Sequence, residues 1–272
     1  MTTLTLARYE QIARARGWSR FWTFVSLVLV LCFGVWSVYA LNIPTERIAG
    51  MFGRIGNMVW HRLMPPDLVF AMQPKILASV LETVQMSVLG AFFGTCLAVP
   101  LAWFAAWNVT PNRSFLYPLA RGIIVTARSV PTLMWAMLLV TFFGFGPFAG
   151  VLALINGTIG FAGKLMSEQV EAIDMKRVEA IRATGANEVD VFFYAVLPQV
   201  RANWMGTIIY NWDTQFRSST ILGFMGAGGL GLFLRQQIAV LEYPSAMGIV
   251  AIIVGLVLVS EALSHQLRKR LY

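Results

Sequence analysis

Charged side chains are scarce in this sequence. Lysine, arginine, aspartate and glutamate make up 12% of its 272 residues and hydrophobic residues make up 57%, whereas soluble domains carry about 25% charged residues. This composition indicates an integral membrane protein. The net charge of +8 does not indicate a nucleic-acid partner, because the basic residues lie mostly at the ends of apolar runs. There they mark topology and contact the headgroups of the lipid bilayer.

Cysteine and histidine are also rare, with two residues of each. Cys32 and Cys96 both fall inside apolar runs, which excludes a disulfide framework. His61 and His265 are far apart in the sequence and form no ligand pattern with the cysteines, so we expect no metal site. No nucleophile and base pattern is present either. We therefore expect no catalytic residue, and a membrane-embedded enzyme is disfavoured.

The sequence also lacks a nucleotide-binding motif. Gly163-Lys164 has neither the upstream glycine nor the following serine or threonine of a P-loop. A second glycine-rich run matches the dinucleotide pattern G-x-G-x-x-G, but no strand precedes it. We interpret this run as a hinge or a closely packed segment at the outer mouth of a transport path. Its glycines are Gly226, Gly228, Gly229 and Gly231.

Six apolar stretches are long enough, or nearly so, to cross a bilayer, which takes about 20 helical residues. They cover residues 21–41, 77–107, 120–143, 148–164, 205–225 and 245–263. Pro131 interrupts the third, and a polar connection with one amphipathic helix fills residues 42–75. Basic residues concentrate on the side that holds both termini, so we expect both termini to be cytoplasmic. We divide the chain into an N-terminal anchor with its extracytoplasmic connection, 1–76, and a transmembrane domain, 77–272.

One polar segment, residues 178–199, lies between two of these apolar stretches. We predict two short helices here, with Glu179 near the start of the first, a break at Gly185 and an end at Leu197-Pro198. Glycine permits the positive φ of a break, and proline lacks the N–H that would continue a helix. Such a segment presents a mixed surface suited to a groove on another protein.

The spacing E-A-x4-G-x11-L-P in the polar segment resembles the cytoplasmic loop signature of ABC importer permeases. Ile181 stands where that family usually has a second alanine, and Ala195 where it usually has isoleucine. Three longer sequence motifs resemble those of the phosphonate permease (PhnE) family, and the resemblance extends from about residue 77 to the C-terminus. The motifs are RATGA from Arg182, YAVLPQV from Tyr194 and RSSTILGFMGAGGLG from Arg217.

The resemblance implies an all-α fold of the type I ABC importer (MetI-like) kind, with about six transmembrane helices and a cytoplasmic coupling helix within 167–200. It also implies a bacterial inner-membrane complex with an extracytoplasmic binding protein, two ATP-binding subunits that hold ATP and Mg, and a second permease copy. This chain would then need no cofactor of its own. The residues that would couple to the ATPase are Glu179, Ala180, Ile181, Gly185, Leu197 and Pro198.

The transported solute implied by the resemblance is a phosphonate or a related phosphorus oxyanion. Within the same class, phosphite, methionine or a quaternary amine remain alternatives. A different class is an ion-coupled secondary carrier, which would need carboxylates near the bilayer midplane. Glu82 and Asp213 are the candidates for such a role. The sequence shows no internal repeat, which disfavours this class.

Two arginines lie inside predicted spans, where each costs about 2.5–3.5 kcal/mol on insertion scales. Arg128 precedes the helix-breaking Pro131 and has no acid at helical spacing, whereas Arg217 follows Asp213 by four residues. Asp213 and Arg217 would lie on one helix face and could neutralise each other, so a structural pair and a transport role both remain open. Three hydroxyls follow that could bind an oxyanion or pack helices. They are Ser218, Ser219 and Thr220.

Overall fold

The computed structural model describes residues 3–41 and 50–269, and in these ranges the regular secondary structure is entirely helical. The chain forms two compact units, Met1–Val59 and Trp60–Tyr272. The first contains α1 (Thr3–Ala40) and the short α2 (Met51–Met58), which is the amphipathic helix expected in the polar connection. A π-helical turn, Val59–Leu63, follows α2.

The second unit holds the remaining helices. In chain order they are α3 (Leu68–Ala71), α4 (Pro74–Phe104), α5 (Leu116–Ser129), α6 (Thr132–Phe143), α7 (Pro147–Glu171), α8 (Met175–Ala183), α9 (Glu188–Val191), α10 (Leu197–Leu222), α11 (Leu230–Ala239) and α12 (Tyr243–Lys269). Helices α4 and α7 form the centre of the unit. Their backbones approach closely because Gly90 and Gly94 of α4 lie directly against Leu154 and Thr158 of α7. Small residues commonly permit this kind of helix contact in membranes.

Four helical stretches are long and apolar enough to span a bilayer: residues 21–40 of α1, and helices α4, α7 and α12. Helices α5 and α6 meet at a bend of 92°. They add a fifth span if the two are counted as one broken span. Helix α10 lies where the fifth predicted span was expected. It has 26 residues, which corresponds to about 39 Å at 1.5 Å per residue. Its polar composition keeps it below the hydropathy of the others.

The bend between α5 and α6 occurs at the predicted interruption. Val130 is extended (φ −109°, ψ 127°), as expected for a residue before proline, and Pro131 precedes the first turn of α6. The end of α5 rests on Gly160 of α7, where an added Cβ would lie 2.8 Å from the backbone nitrogen of Arg128. The predicted break is therefore confirmed, and it is seated on the central helix α7.

Residues 226–244, which connect the fifth and sixth predicted spans, contain the ten-residue helix α11, Leu230–Ala239, which the sequence analysis did not predict. The first turn of α11 receives its hydrogen-bond acceptors from α4, which is distant in the sequence. Local composition alone therefore underestimated the helix.

Candidate coupling segment and transport path

The first helix of the polar segment is α8, which begins at Met175. Asp174 precedes it, and its Oδ1 accepts a hydrogen bond from the backbone N–H of Lys176 at 3.0 Å. The expectation that Glu179 lies near the helix start is wrong, because Glu179 is in the middle of α8. An aspartate is a preferred residue at the position before the first turn, and it starts the helix one turn earlier.

Gly185 ends the first helix, as predicted. It adopts φ +83°, and an added Cβ would meet no atom within 4 Å, so the requirement for glycine is set by the backbone. Asn187 then opens α9 by accepting a hydrogen bond from Asp190 N–H at 2.9 Å. Across the break, Arg182 and Glu188 form an ion pair of 2.9 Å, which holds α8 and α9 together.

The prediction that Leu197-Pro198 ends the second helix is wrong. The chain continues from α9 through a π-helical turn, Phe192–Val196, directly into α10. Pro198 lies in the first turn of α10, where proline is tolerated. The π-helical turn changes the hydrogen-bond register just before the proline, so the missing N–H does not terminate the helix.

The polar segment has a buried side and an exposed side. Val178, Val191 and Val196 are fully or almost fully buried in a cluster with the ends of α4, α7 and α10. Ile181 and Leu197 pack against this cluster and are partly buried. The other candidate coupling residues face outward: Glu179, Ala180, Gly185 and Pro198 are exposed. The structure thus divides the candidate coupling residues into a supporting pair and an accessible set.

Gln199, which the sequence analysis did not single out, connects the two ends of the polar segment. Its Oε1 accepts a hydrogen bond from the backbone N–H of Asp174 at 3.1 Å. Its Nε2 donates to the carbonyl oxygens of Ala195 at 2.8 Å and of Asp174 at 3.5 Å. The sequence offered one signal for this residue, its position after Leu-Pro in the YAVLPQV motif. That position gives no indication that Asp174 is the hydrogen-bond partner.

Arg217 and Asp213 form the ion pair that their spacing allows, with 3.0 Å between Arg217 Nη2 and Asp213 Oδ2. The carboxylate is buried, with 7% of its side chain exposed, while the Arg217 side chain is 42% exposed. Asp213 Oδ1 also accepts a hydrogen bond from Ser260 Oγ of α12 at 3.2 Å. The pair therefore ties α10 to α12 and leaves part of the guanidinium accessible.

Arg128 lies in the last turn of α5 and is exposed. Within residues 3–41 and 50–269 it forms no ion pair with a carboxylate. The carbonyl end of a helix attracts a cation, so its position partly offsets the charge. Arg128 thus lies at the end of α5, whereas Arg217 lies on α10 and is paired with Asp213.

The three hydroxyls after Arg217 all donate to carbonyl oxygens of their own helix. Ser219 bonds to Phe216 and Thr220 to Arg217, each at 2.7 Å, and both residues are buried. Ser218 is partly exposed and lines a cleft of about 210 Å³ with Pro131, Thr132, Leu133, Ile221 and Leu222. Of the three hydroxyls, Ser218 alone lines this cleft, at the predicted break.

The glycine run at 226–231 is held tightly. Gly226, Gly228 and Gly229 have positive φ values of 94°, 82° and 70°. An added Cβ at Gly231 would collide with the backbone of α10 at the Thr220 carbonyl. Close packing therefore explains Gly231, and backbone conformation explains the other three.

Two residues of α4 bind the start of α11. Glu82 Oε2 accepts a hydrogen bond from Gly229 N–H and Thr83 Oγ1 accepts one from Leu230 N–H, each at 3.0 Å. Both carboxylates considered for an ion-coupled carrier thus have structural partners: Glu82 binds the start of α11, and Asp213 binds Arg217.

A second set of polar contacts joins α7 and α10 and was missed by the sequence analysis. Asn211 Nδ2 donates to Thr158 Oγ1 at 3.2 Å, and Gln169 Nε2 donates to Thr207 Oγ1 at 2.9 Å. Asn211 and Thr158 are fully buried. These contacts hold the more polar α10 against the central helix α7, as interhelical side-chain bonds do in membranes.

Residues 98–271 match the family described as binding-protein-dependent transport system inner membrane components. The chain belongs to this family. It is 35% identical over 206 residues to the phosphite transport system permease protein PtxC of Stutzerimonas stutzeri, covering 76% of this chain and 74% of that protein. It is 36% identical over 234 residues to the phosphate-import permease protein PhnE of Mycolicibacterium smegmatis, covering 86% of this chain and 43% of that longer protein.

The fold is shared with a chain of the methionine ABC transporter MetNI in an inward-facing conformation. The TM-score is 0.64 with 20% identity, over 74% of this chain and all of that chain. The predicted all-α fold of ABC importer permeases is therefore confirmed, as is the resemblance to the PhnE family. As a member of this family, the chain is an inner-membrane component of a transport system.

Proposed function

We propose that this chain is the permease subunit of an ATP-driven importer that moves a phosphonate, or a related phosphorus oxyanion, into the cell by alternating access. The observation that carries the proposal is the polar segment, which is exposed on one side and buried on the other against the ends of α4, α7 and α10. A force applied to its exposed side would reach the membrane helices directly. The substrate class is supported by the phosphite and phosphate systems to which PtxC and PhnE belong by name.

The partners follow from this function. Two copies of an ABC ATP-binding subunit would bind ATP and Mg and contact the polar segment, and an extracytoplasmic binding protein would deliver the anion. A second copy of this chain would complete the transport path, which makes a homodimer the simplest assembly. In this arrangement both termini and the polar segment are cytoplasmic, as the distribution of basic residues suggests.

The transport path would include Arg128, Arg217 and Ser218. The support for Arg128 is an exposed charge without an ion-pair partner in the described ranges, and the support for Arg217 is its accessible guanidinium. Ser218 adds a hydroxyl at the cleft beside Pro131, where the broken span could change its bend. Arginine suits this role because its guanidinium remains charged and matches oxyanion geometry.

Reversing the charge of Glu179 will test the coupling role. In membranes reconstituted with the ATPase and the binding protein, we expect Glu179→Arg to abolish the stimulation of ATP hydrolysis by loaded binding protein, because like or misplaced charges at an interface cost several kcal/mol. Glu179 is exposed, so the permease itself should remain folded. Glu261→Arg is the matched control, since Glu261 is also exposed but lies on α12, outside the polar segment.

Two results would contradict the coupling role. One is normal stimulation in Glu179→Arg, and the other is full uptake by this chain alone in vesicles without nucleotide.

Replacing Arg128 with glutamine will test the transport path. We expect uptake of a phosphonate to fall about tenfold, because a hydrogen bond to a charged group contributes about 1.5–3 kcal/mol. Assembly and basal ATP hydrolysis should remain normal, since Arg128 forms no ion pair in the described part of the chain. Arg201→Gln serves as the control, because Arg201 is an exposed arginine in the first turns of α10. Unchanged uptake in Arg128→Gln would remove this residue from the path.

A further inference from the structure

Gln199 makes a two-point contact with the residue that opens α8. Its amide accepts from the N–H and donates to the carbonyl oxygen of Asp174, at 3.1 and 3.5 Å. The same amide donates to Ala195 O at 2.8 Å, which fixes the side chain against its own helix turn. Two hydrogen bonds to one backbone unit fix both its distance from the side chain and its orientation. A movement of Asp174 would therefore move Gln199 with it.

Asp174 directly precedes α8, and its carboxylate caps the start of that helix by accepting a hydrogen bond from Lys176 N–H. Helix α7 ends at Glu171, so residues 172–174 connect α7 to α8. Gln199 therefore attaches the start of α8 to α10 across 25 residues of sequence. The buried valines beneath α8 also contact α10, but apolar contacts have no directional preference and permit sliding.

Helix α10 continues from Gln199 to the ion pair and the cleft. Asp213, Arg217 and Ser218 all lie on this one helix, which is unbroken from Leu197 to Leu222. Asp213 in turn reaches α12 through Ser260. A displacement of α8 that is passed to the first turn of α10 would thus be carried along a single helix to the residues assigned to the transport path.

We propose that Gln199 is a positioning residue that couples the movement of α8 to α10, so that ATP hydrolysis and anion transfer occur together. This inference rests on the proposed function, and it names the contact through which the ATPase acts. Without this contact, the Arg182–Glu188 ion pair and the apolar cluster would be the remaining links from α8 to α9 and α10, and α10 would follow a movement of α8 only in part. Hydrolysis would then continue without a matching number of transport events.

The test is the ratio of phosphonate molecules imported to ATP molecules hydrolysed, measured per assembled complex of permease, ATPase and binding protein. Gln199→Leu and Gln199→Met introduce an apolar side chain of similar size and remove the amide. We expect about a tenfold lower ratio in both, because the two hydrogen bonds to Asp174 that join α8 to α10 are lost together with the bond to Ala195 O. Asn203→Leu is the matched control, since Asn203 is exposed one turn further along α10.

Each outcome has a defined meaning. A wild-type complex that imports no phosphonate in an ATP-dependent way would contradict the proposed function itself. A wild-type complex that imports normally, together with an unchanged ratio in the Gln199 variants, would overturn the coupling contact alone. Loss of assembly in both variants, or an equal fall of hydrolysis and import, would assign Gln199 to folding and would also overturn the proposal.

Discussion

Replacing Asp213 with asparagine while Arg217 is kept will lower the free energy of unfolding by about 3 kcal/mol. Breaking a buried ion pair by removing one partner leaves the other charge uncompensated. The expected value is at the lower end of the known range because the Arg217 side chain is 42% exposed and can partly turn outward. Unfolding in mixed detergent micelles measures the effect.

The complementary change, Arg217→Gln, will be at least as costly. It leaves the Asp213 carboxylate, with 7% of its side chain exposed, with the Ser260 hydroxyl as its remaining hydrogen-bond partner among the described residues. The double variant should cost clearly less than the sum of the two single variants, because both charges are then absent. Glu261→Gln is a control for removing an exposed carboxylate of α12. Additive costs would show that the pair contributes nothing as a pair.

The same double variant also separates the two roles that the sequence left open for Arg217. A folded double variant that imports phosphonate at the wild-type rate would make Arg217 purely structural. A folded double variant that fails to import would support its place in the transport path. The stability cycle and the uptake measurement therefore address different properties of one residue pair.

The features that could be predicted from the sequence are those fixed by one residue or by one helix turn. Gly185 ends α8 because its φ of +83° depends on the local backbone. Pro131 bends the α5–α6 span because a proline lacks an N–H and restricts the preceding residue. Asp213 and Arg217 meet because four residues separate them on one helix. None of these depends on a distant partner.

The features that sequence reasoning missed depend on contacts between distant segments or on a local compensation. Pro198 was expected to end a helix, but a π-helical turn before it keeps the chain helical. Gln199 contacts Asp174 at a separation of 25 residues, and Glu82 contacts Gly229 at a separation of 147. Helix α11 was missed because α4 supplies the acceptors for its first turn. The periodicity of apolar residues over a short stretch of sequence gives no information on contacts with distant segments.

Removing those acceptors will have the second large effect. Thr83→Val keeps the shape of a side chain that is fully buried but leaves the Leu230 N–H without its acceptor, and Glu82→Ala does the same for Gly229. A buried donor left without a partner costs about 1–3 kcal/mol. We expect the double variant to lose about 4 kcal/mol, since the Glu82 bond also involves a charged acceptor. Thr126→Val is the control, because Thr126 is exposed on α5.

The loss will be concentrated in α11, because Glu82 and Thr83 bind its first turn while the rest of α4 packs against α7. Hydrogen exchange should therefore accelerate at the amides of residues 229–239 and remain slow in the buried part of α4. Gly228 and Gly229 have positive φ values, and the N–H groups of Gly229 and Leu230 point to these two acceptors. Uniform acceleration over the whole protein, or none in α11, would show that the packing of Gly231 against α10 holds this helix instead.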